Sequence, residues 1–150
     1  MSPQTYDQSH ADPCQPVQLK LVNPKPASTR GNKILVIDDD PFLCRGLKIR
    51  LKANDYDPCF AHDAESALRA VLTETPDLII LDIGLPCRDG YFVLEVLNAL
   101  PELAEVPVVV LTARDGLTDE RRCLDAGAKR FFEKPVSNRR LLNAIRQLVE

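Results

Sequence analysis

From Lys33 onward, short apolar runs alternate with longer segments whose apolar positions recur every three or four residues. The runs KILVID (33–38), DPCFA (57–61), DLIILD (77–82), PVVVLT (107–112) and RFFE (130–133) have the length and β-branched content of strands. The first, third and fourth are apolar without alternation, the pattern of strands buried on both faces. Residues 42–53, 64–74, 90–100, 117–126 and 138–149 read as helices; in the last, Leu141, Leu142, Ile145, Leu148 and Val149 share one face. Asp40 before Pro41 offers an N-cap with proline at the first helical position, Asp63 and Ser137 offer further caps, and Gly127 suits a helix stop.

Five strand–helix units in alternation predict an α/β fold, a three-layer sandwich with right-handed crossovers and helices on both faces of a five-stranded parallel sheet. The flavodoxin-like strand order 2-1-3-4-5 is the leading arrangement, with β-strands one, three and four central. Ligands of such sheets bind beyond the carboxyl ends of the strands, where the strand order reverses.

The N-terminal stretch breaks this rhythm. Residues 1–31, MSPQTYDQSHADPCQPVQLKLVNPKPASTRG, are rich in proline and polar residues and read as a disordered tail or linker, leaving 32–150 as one domain. Val17, Leu19 and Leu21 alternate with polar residues there, which also fits a short strand or docking motif. The remaining composition is that of a globular domain, 45% hydrophobic and 27% charged. A net charge of −3 without a long basic run gives no electrostatic reason to expect nucleic acid or a membrane surface. With no signal peptide or spanning apolar run, a cytoplasmic location is expected. Cys14, Cys44, Cys59, Cys87 and Cys123 form no C-x-x-C pair and are expected to be free thiols; Cys87 stands out as falling beside the strand ends that carry the chemistry.

Those strand ends are chemically unusual. The first run closes on Asp38 and Asp39, the third on Asp82, the fourth on Thr112, and the fifth leads into Lys134-Pro135. The topology would bring three carboxylates, a hydroxyl and an ammonium to one rim. Unit charges about 4 Å apart repel by roughly 4 kcal/mol at an effective dielectric near 20. That is large against a domain stability of about 5–15 kcal/mol. Such a cluster is poised for a dication, whose charge reverses the balance.

The segments ILVIDDDP, PDLIILDIGLPCRDG, PVVVLTA and GAKRFFEKP, with the final amphipathic helix, resemble the receiver domain of two-component response regulators over nearly everything from Lys33 to Glu150. The resemblance implies a phosphoacceptor that takes a phosphoryl group from a histidine kinase or phosphotransfer protein. It casts Asp82 as the nucleophile, a carboxylate able to hold an aspartyl-phosphate. Asp38 and Asp39 become the acidic pair for Mg²⁺ (or Mn²⁺), Asp39 directly and Asp38 partly through water, with Asp82 and the backbone carbonyl of Gly84 completing the ligands. Asp40 is left to cap the first helix. Lys134 would pair with Asp82 or the phosphoryl oxygens, and its bond to Pro135 is a cis candidate.

Thr112 would move toward the phosphoryl group, Ala113 would leave access to it, and Phe131 would fill the space vacated. Receivers often carry tyrosine at that last position, so any hydrogen bond its hydroxyl makes to a partner is lost here. The surface expected to switch is the fourth predicted helix (117–126), the fifth strand and the fifth predicted helix (138–149). Arg121, Arg122, Lys129, Arg139 and Arg140 lie there, as a solvated face or as a homodimer or effector surface with acidic complements. Gly84 and Arg114 are expected to tune dephosphorylation.

On this reading the chain is not an enzyme beyond catalysing its own phosphorylation and dephosphorylation, and is either a single-domain regulator or a fragment. Two alternatives compete. A haloacid-dehalogenase-like phosphohydrolase would use Asp38 and Asp40 as its D-x-D, but the chain is short for its cap elements and Asp82 and Thr112 fall outside its pattern. A degenerate receiver acting only as an interaction module would not need the full set of Asp38, Asp39, Asp82, Thr112 and Lys134.

Overall fold

The computed structural model describes residues 32–113 and 117–149; the predicted tail and Arg114 lie outside the described residues. The elements run β1 (Lys33–Ile37), α1 (Pro41–Ala53), β2 (Asp57–Ala61), α2 (Ala64–Glu74), β3 (Leu78–Leu81), α3 (Gly90–Ala99), α4 (Pro101–Ala104), β4 (Val108–Thr112), α5 (Leu117–Asp125), β5 (Arg130–Glu133) and α6 (Asn138–Val149). All strand pairs are parallel and the order is β2-β1-β3-β4-β5. The expected fold class and strand order are therefore observed, and the predicted helix 117–126 is α5.

The unbroken apolar runs have a direct explanation. In β1, Leu35 and Ile37 point into a core layer shared with α2, α3 and α5, while Ile34 and Val36 point into a second layer shared with α1 and α6. Ile79 and Leu81 of β3 and Val108 and Val110 of β4 join the first layer; Leu78, Ile80, Val109 and Leu111 join the second. Side chains alternate across a strand, so a strand covered on both faces must be apolar at every position. The outermost strands are less demanding. On β2 the Asp57 amide donates inward to Asn32 at 2.9 Å, so the next residue, Pro58, turns its nitrogen outward where no N–H is missed.

The caps follow the sequence. Asp40 Oδ1 accepts from the amides of Phe42 (2.9 Å) and Leu43 (3.4 Å) at the start of α1, where Pro41 sits at the first position. Asp63 and Ser66 form a reciprocal capping box on α2, and Ser137 Oγ accepts from the Arg140 amide at the start of α6. After α5, Gly127 turns with φ +109°, a left-handed conformation that lets the Ala128 amide reach back to the Cys123 carbonyl. The sequence pattern did not register α4, whose four residues, Pro101–Ala104, are too few to show a helical period.

One glycine fixes the approach of α3 to the strand ends. Its amide donates to the Ile83 carbonyl at 2.8 Å, and a Cβ on Gly90 would sit 2.7 Å from both the Asp82 carbonyl oxygen and Ile83 Cα. Both neighbours are backbone and cannot swing aside. Gly90→Ala is expected to destabilise the domain by about 1–3 kcal/mol, read as a lower urea midpoint at unchanged slope.

Candidate functional site

The rim is assembled by extensions of the sheet ladder. The Asp38 amide donates to Ala61 at the end of β2 (3.0 Å), the Asp82 amide to Ile37 at the end of β1 (2.9 Å), and the Lys134 amide to Thr112 at the end of β4 (2.8 Å). Backbone bonds thus place Asp38, Asp82 and Lys134, from positions far apart in the chain, at the carboxyl ends of the strands, beside Thr112 at the end of β4.

Lys134 Nζ lies between two carboxylates, donating to Asp38 Oδ2 at 2.7 Å and to Asp82 Oδ2 at 3.2 Å. The remaining oxygens are also engaged. Asp38 Oδ1 accepts from the Asp40 amide at 2.8 Å, and Asp82 Oδ1 from the Gly84 amide at 3.0 Å. Asp38, Asp82 and Thr112 are buried, whereas Asp39 is exposed. Burial raises the Asp38 carboxyl above its ordinary range, against the pull of Lys134 and the Asp40 amide. Burial also works to lower the Lys134 ammonium, but its bond to Asp38 and the charge of Asp82 hold it above the usual lysine value. An acid raised in the fold favours folding most below the unfolded value. Ionising Asp38 as pH rises through its folded range therefore removes stability from the metal-free protein.

Asp38, Asp39 and Asp82 can each present an oxygen such that all three atoms lie within 4.8 Å of one another. Three hard oxygen donors at that spacing fit a dication that also keeps water ligands. The Lys134 ammonium balances part of this charge, so three carboxylates and one ammonium leave the rim negative.

The other predicted residues fall around this rim. Gly84 follows Asp82 and is exposed; Ala113 is exposed beside buried Thr112; Phe131 is half-buried against the core layer that includes α5; and the Lys134–Pro135 peptide is cis. Arg121, Arg122, Lys129, Arg139 and Arg140 are exposed, but Arg122 stacks on Tyr91 and Arg140 on Phe132, with Cζ 3.6 and 5.3 Å from the ring centroids. Asp40 is occupied with capping, so it is turned to α1 and not to a D-x-D arrangement with Asp38.

Sequence reasoning missed several partners. His62 Nδ1 lies 3.0 Å from the Asp38 carbonyl oxygen, and only the pairing of β2 with β1 brings that loop residue to the rim. Glu65, buried on α2, pairs with Arg69 one turn on. Cys87, in the loop after β3 at φ 62°, is disulfide-bonded, which corrects the expectation of a free thiol there; Cys44, Cys59 and Cys123 are free. Burial pushes the Cys44 and Cys59 thiols up to about 11, so both behave as packed apolar groups.

Comparison with known proteins gives a consistent result. The model of the response regulator receiver domain matches residues 34–146. The transcriptional regulatory protein KdpE of Mycobacterium tuberculosis is 39% identical over 116 residues, 77% of this chain and 50% of that protein; the chain spans about half the length of the curated relatives it matches. Among solved structures, a putative response regulator of Chloroflexus aurantiacus superposes with a TM-score of 0.76 at 26% identity, covering 80% of this chain and 98% of that one. The receiver domain of a Syntrophus aciditrophicus signal transduction histidine kinase gives 0.74 at 31%, covering 79% and 90%. The receiver domain of a Pseudomonas aeruginosa sensor histidine kinase, with magnesium coordinated in its active-site cleft, gives 0.73 at 27%, covering 79% and 98%.

Two outcomes test the electrostatics. Mg²⁺ is expected to raise the melting temperature of the wild-type chain, by the free energy of binding the folded state alone, and to leave Asp39→Ala unchanged. Lys134→Ala leaves two buried carboxylates without their cation and should cost about 2 kcal/mol in metal-free urea unfolding, with Mg²⁺ restoring part of the loss.

Proposed function

Because the chain belongs to the response regulator receiver domain family, we propose that it accepts a phosphoryl group on Asp82 from a histidine kinase or a phosphotransfer protein. The observation that carries this reading is the Lys134 ammonium set between Asp38 and Asp82, at 2.7 and 3.2 Å, on a rim that also holds Asp39 and Thr112.

A carboxylate oxygen of Asp82 attacks phosphorus, a new oxygen–phosphorus bond forms, and the bond from phosphorus to the donor's nitrogen or acyl oxygen breaks with its electron pair leaving on the donor. Mg²⁺ (or Mn²⁺), held by Asp38, Asp39, Asp82 and the Gly84 carbonyl, supplies charge neutralisation when bound. Lys134 already touches the acceptor carboxylate and swings its point charge onto the phosphoryl oxygens. Thr112 brings its hydroxyl to the same group, Ala113 leaves the approach open, and Phe131 follows Thr112 from its place against the α5 layer.

The consequence is a shift in the surface formed by α5, β5 and α6, which serves as the contact for a second copy or an effector. Residues 32–150 form the phosphoaccepting unit, which catalyses only its own phosphorylation and dephosphorylation. Its site of action in this reading is the cytoplasm; among the described residues no helix is long and apolar enough to cross a membrane. Gly84 sets water access to the aspartyl-phosphate.

Incubation with Mg²⁺ and acetyl phosphate is expected to add the mass of one base-labile phosphoryl group to the wild-type chain and none to Asp82→Asn. Turnover of a phosphate ester that survives Asp82→Asn but not Asp38→Asn would overturn the reading in favour of a hydrolase.

A further inference from the structure

Tyr91 is 2% exposed although it lies in the first turn of α3. Its hydroxyl donates to Asp119 Oδ1 at 2.6 Å, and the Arg122 guanidinium covers its ring. Both partners belong to α5. Burial, and then the Asp119 carboxylate, push the phenol well above its ordinary range, so it stays a donor. On the other side, Tyr91 follows Gly90, whose amide is bonded to Ile83 and whose Cα leaves no space above the Asp82 carbonyl. The phenol is therefore fixed to the loop that carries the acceptor, while Asp119 rides on the helix that follows Thr112. A hydrogen bond from a phenol to a carboxylate is directional and charge-assisted, and an ångström of displacement breaks it.

We propose that Tyr91 is a latch that holds the first turns of α5 in the resting position through Asp119 and Arg122, and that movement of Thr112 toward a phosphoryl group releases it. The inference rests on Asp82 being the phosphoacceptor, and Tyr91 acts in it as a positioning residue. Removing the hydroxyl lowers the cost of leaving the resting state, so the variant switches more readily than the wild type.

The test compares the wild-type chain with Tyr91→Phe, Asp119→Ala and the double variant. In metal-free protein, amide exchange across 117–125 is expected to quicken about threefold to tenfold in each single variant while 78–81 is unchanged. With Mg²⁺ present, beryllofluoride should bind each single variant more tightly by about the same factor, and the double variant no more tightly than either. A merely structural role would quicken exchange throughout and weaken beryllofluoride binding, which overturns the latch. So does unchanged exchange, unchanged binding or full additivity. A wild-type chain that ignores both beryllofluoride and acetyl phosphate overturns the phosphoacceptor reading and, with it, the release step. Binding by the wild type with no gain in Tyr91→Phe overturns the latch alone.

Discussion

The position of one ammonium governs the rest of the molecule. Lys134 neutralises part of a carboxylate cluster that would otherwise burden the ends of β1 and β3, and it does so from a loop after β5, at the far edge of the sheet. For it to arrive there, β5 must pair in register with β4, and β4 with β3, so the parallel ladder and the charge balance require one another. Burial still holds Asp38 above its ordinary carboxyl range. Three carboxylates share this rim with one ammonium, so the cluster keeps a net negative charge of the kind that suits a dication.

The two-layered core supplies the stiffness this arrangement needs. Each central strand is gripped from both faces, and the ladder bonds that continue past the strand ends place Asp38, Asp82 and Lys134 by backbone. Around that frame Asp39, Gly84 and Ala113 are exposed to solvent. Receiver chemistry asks for such a division, since phosphoryl transfer depends on positioned charge, whereas signalling depends on a surface that can take two arrangements.

The sequence exposed whatever is encoded locally. Unbroken apolar runs meant strands with two covered faces, Asp40-Pro41 marked a helix start, and acidic residues directly after β1 and β3 marked the rim. Through-space partners were hidden. Tyr91 and Asp119 meet only because α3 and α5 pack on one face of the sheet, and a tyrosine in an apolar helix start looks like any core residue. His62 reaches Asp38 through the β1–β2 pairing, and its spacing in the chain carries no sign of it. The turn at α4 is too short for a period, and the disulfide at Cys87 has no signature in cysteine spacing. Charge patterning placed Arg122 and Arg140 on the exposed surface, where they lie, but carried no sign that both stack on aromatic rings.

The proline in the outermost strand has a further meaning for how copies of this domain can meet. With its nitrogen turned to solvent, Pro58 removes one of the donors that a passing extended peptide would need to zip onto that border of the sheet. A cross-molecule sheet, the route to fibrous aggregates, would meet a missing donor on this border.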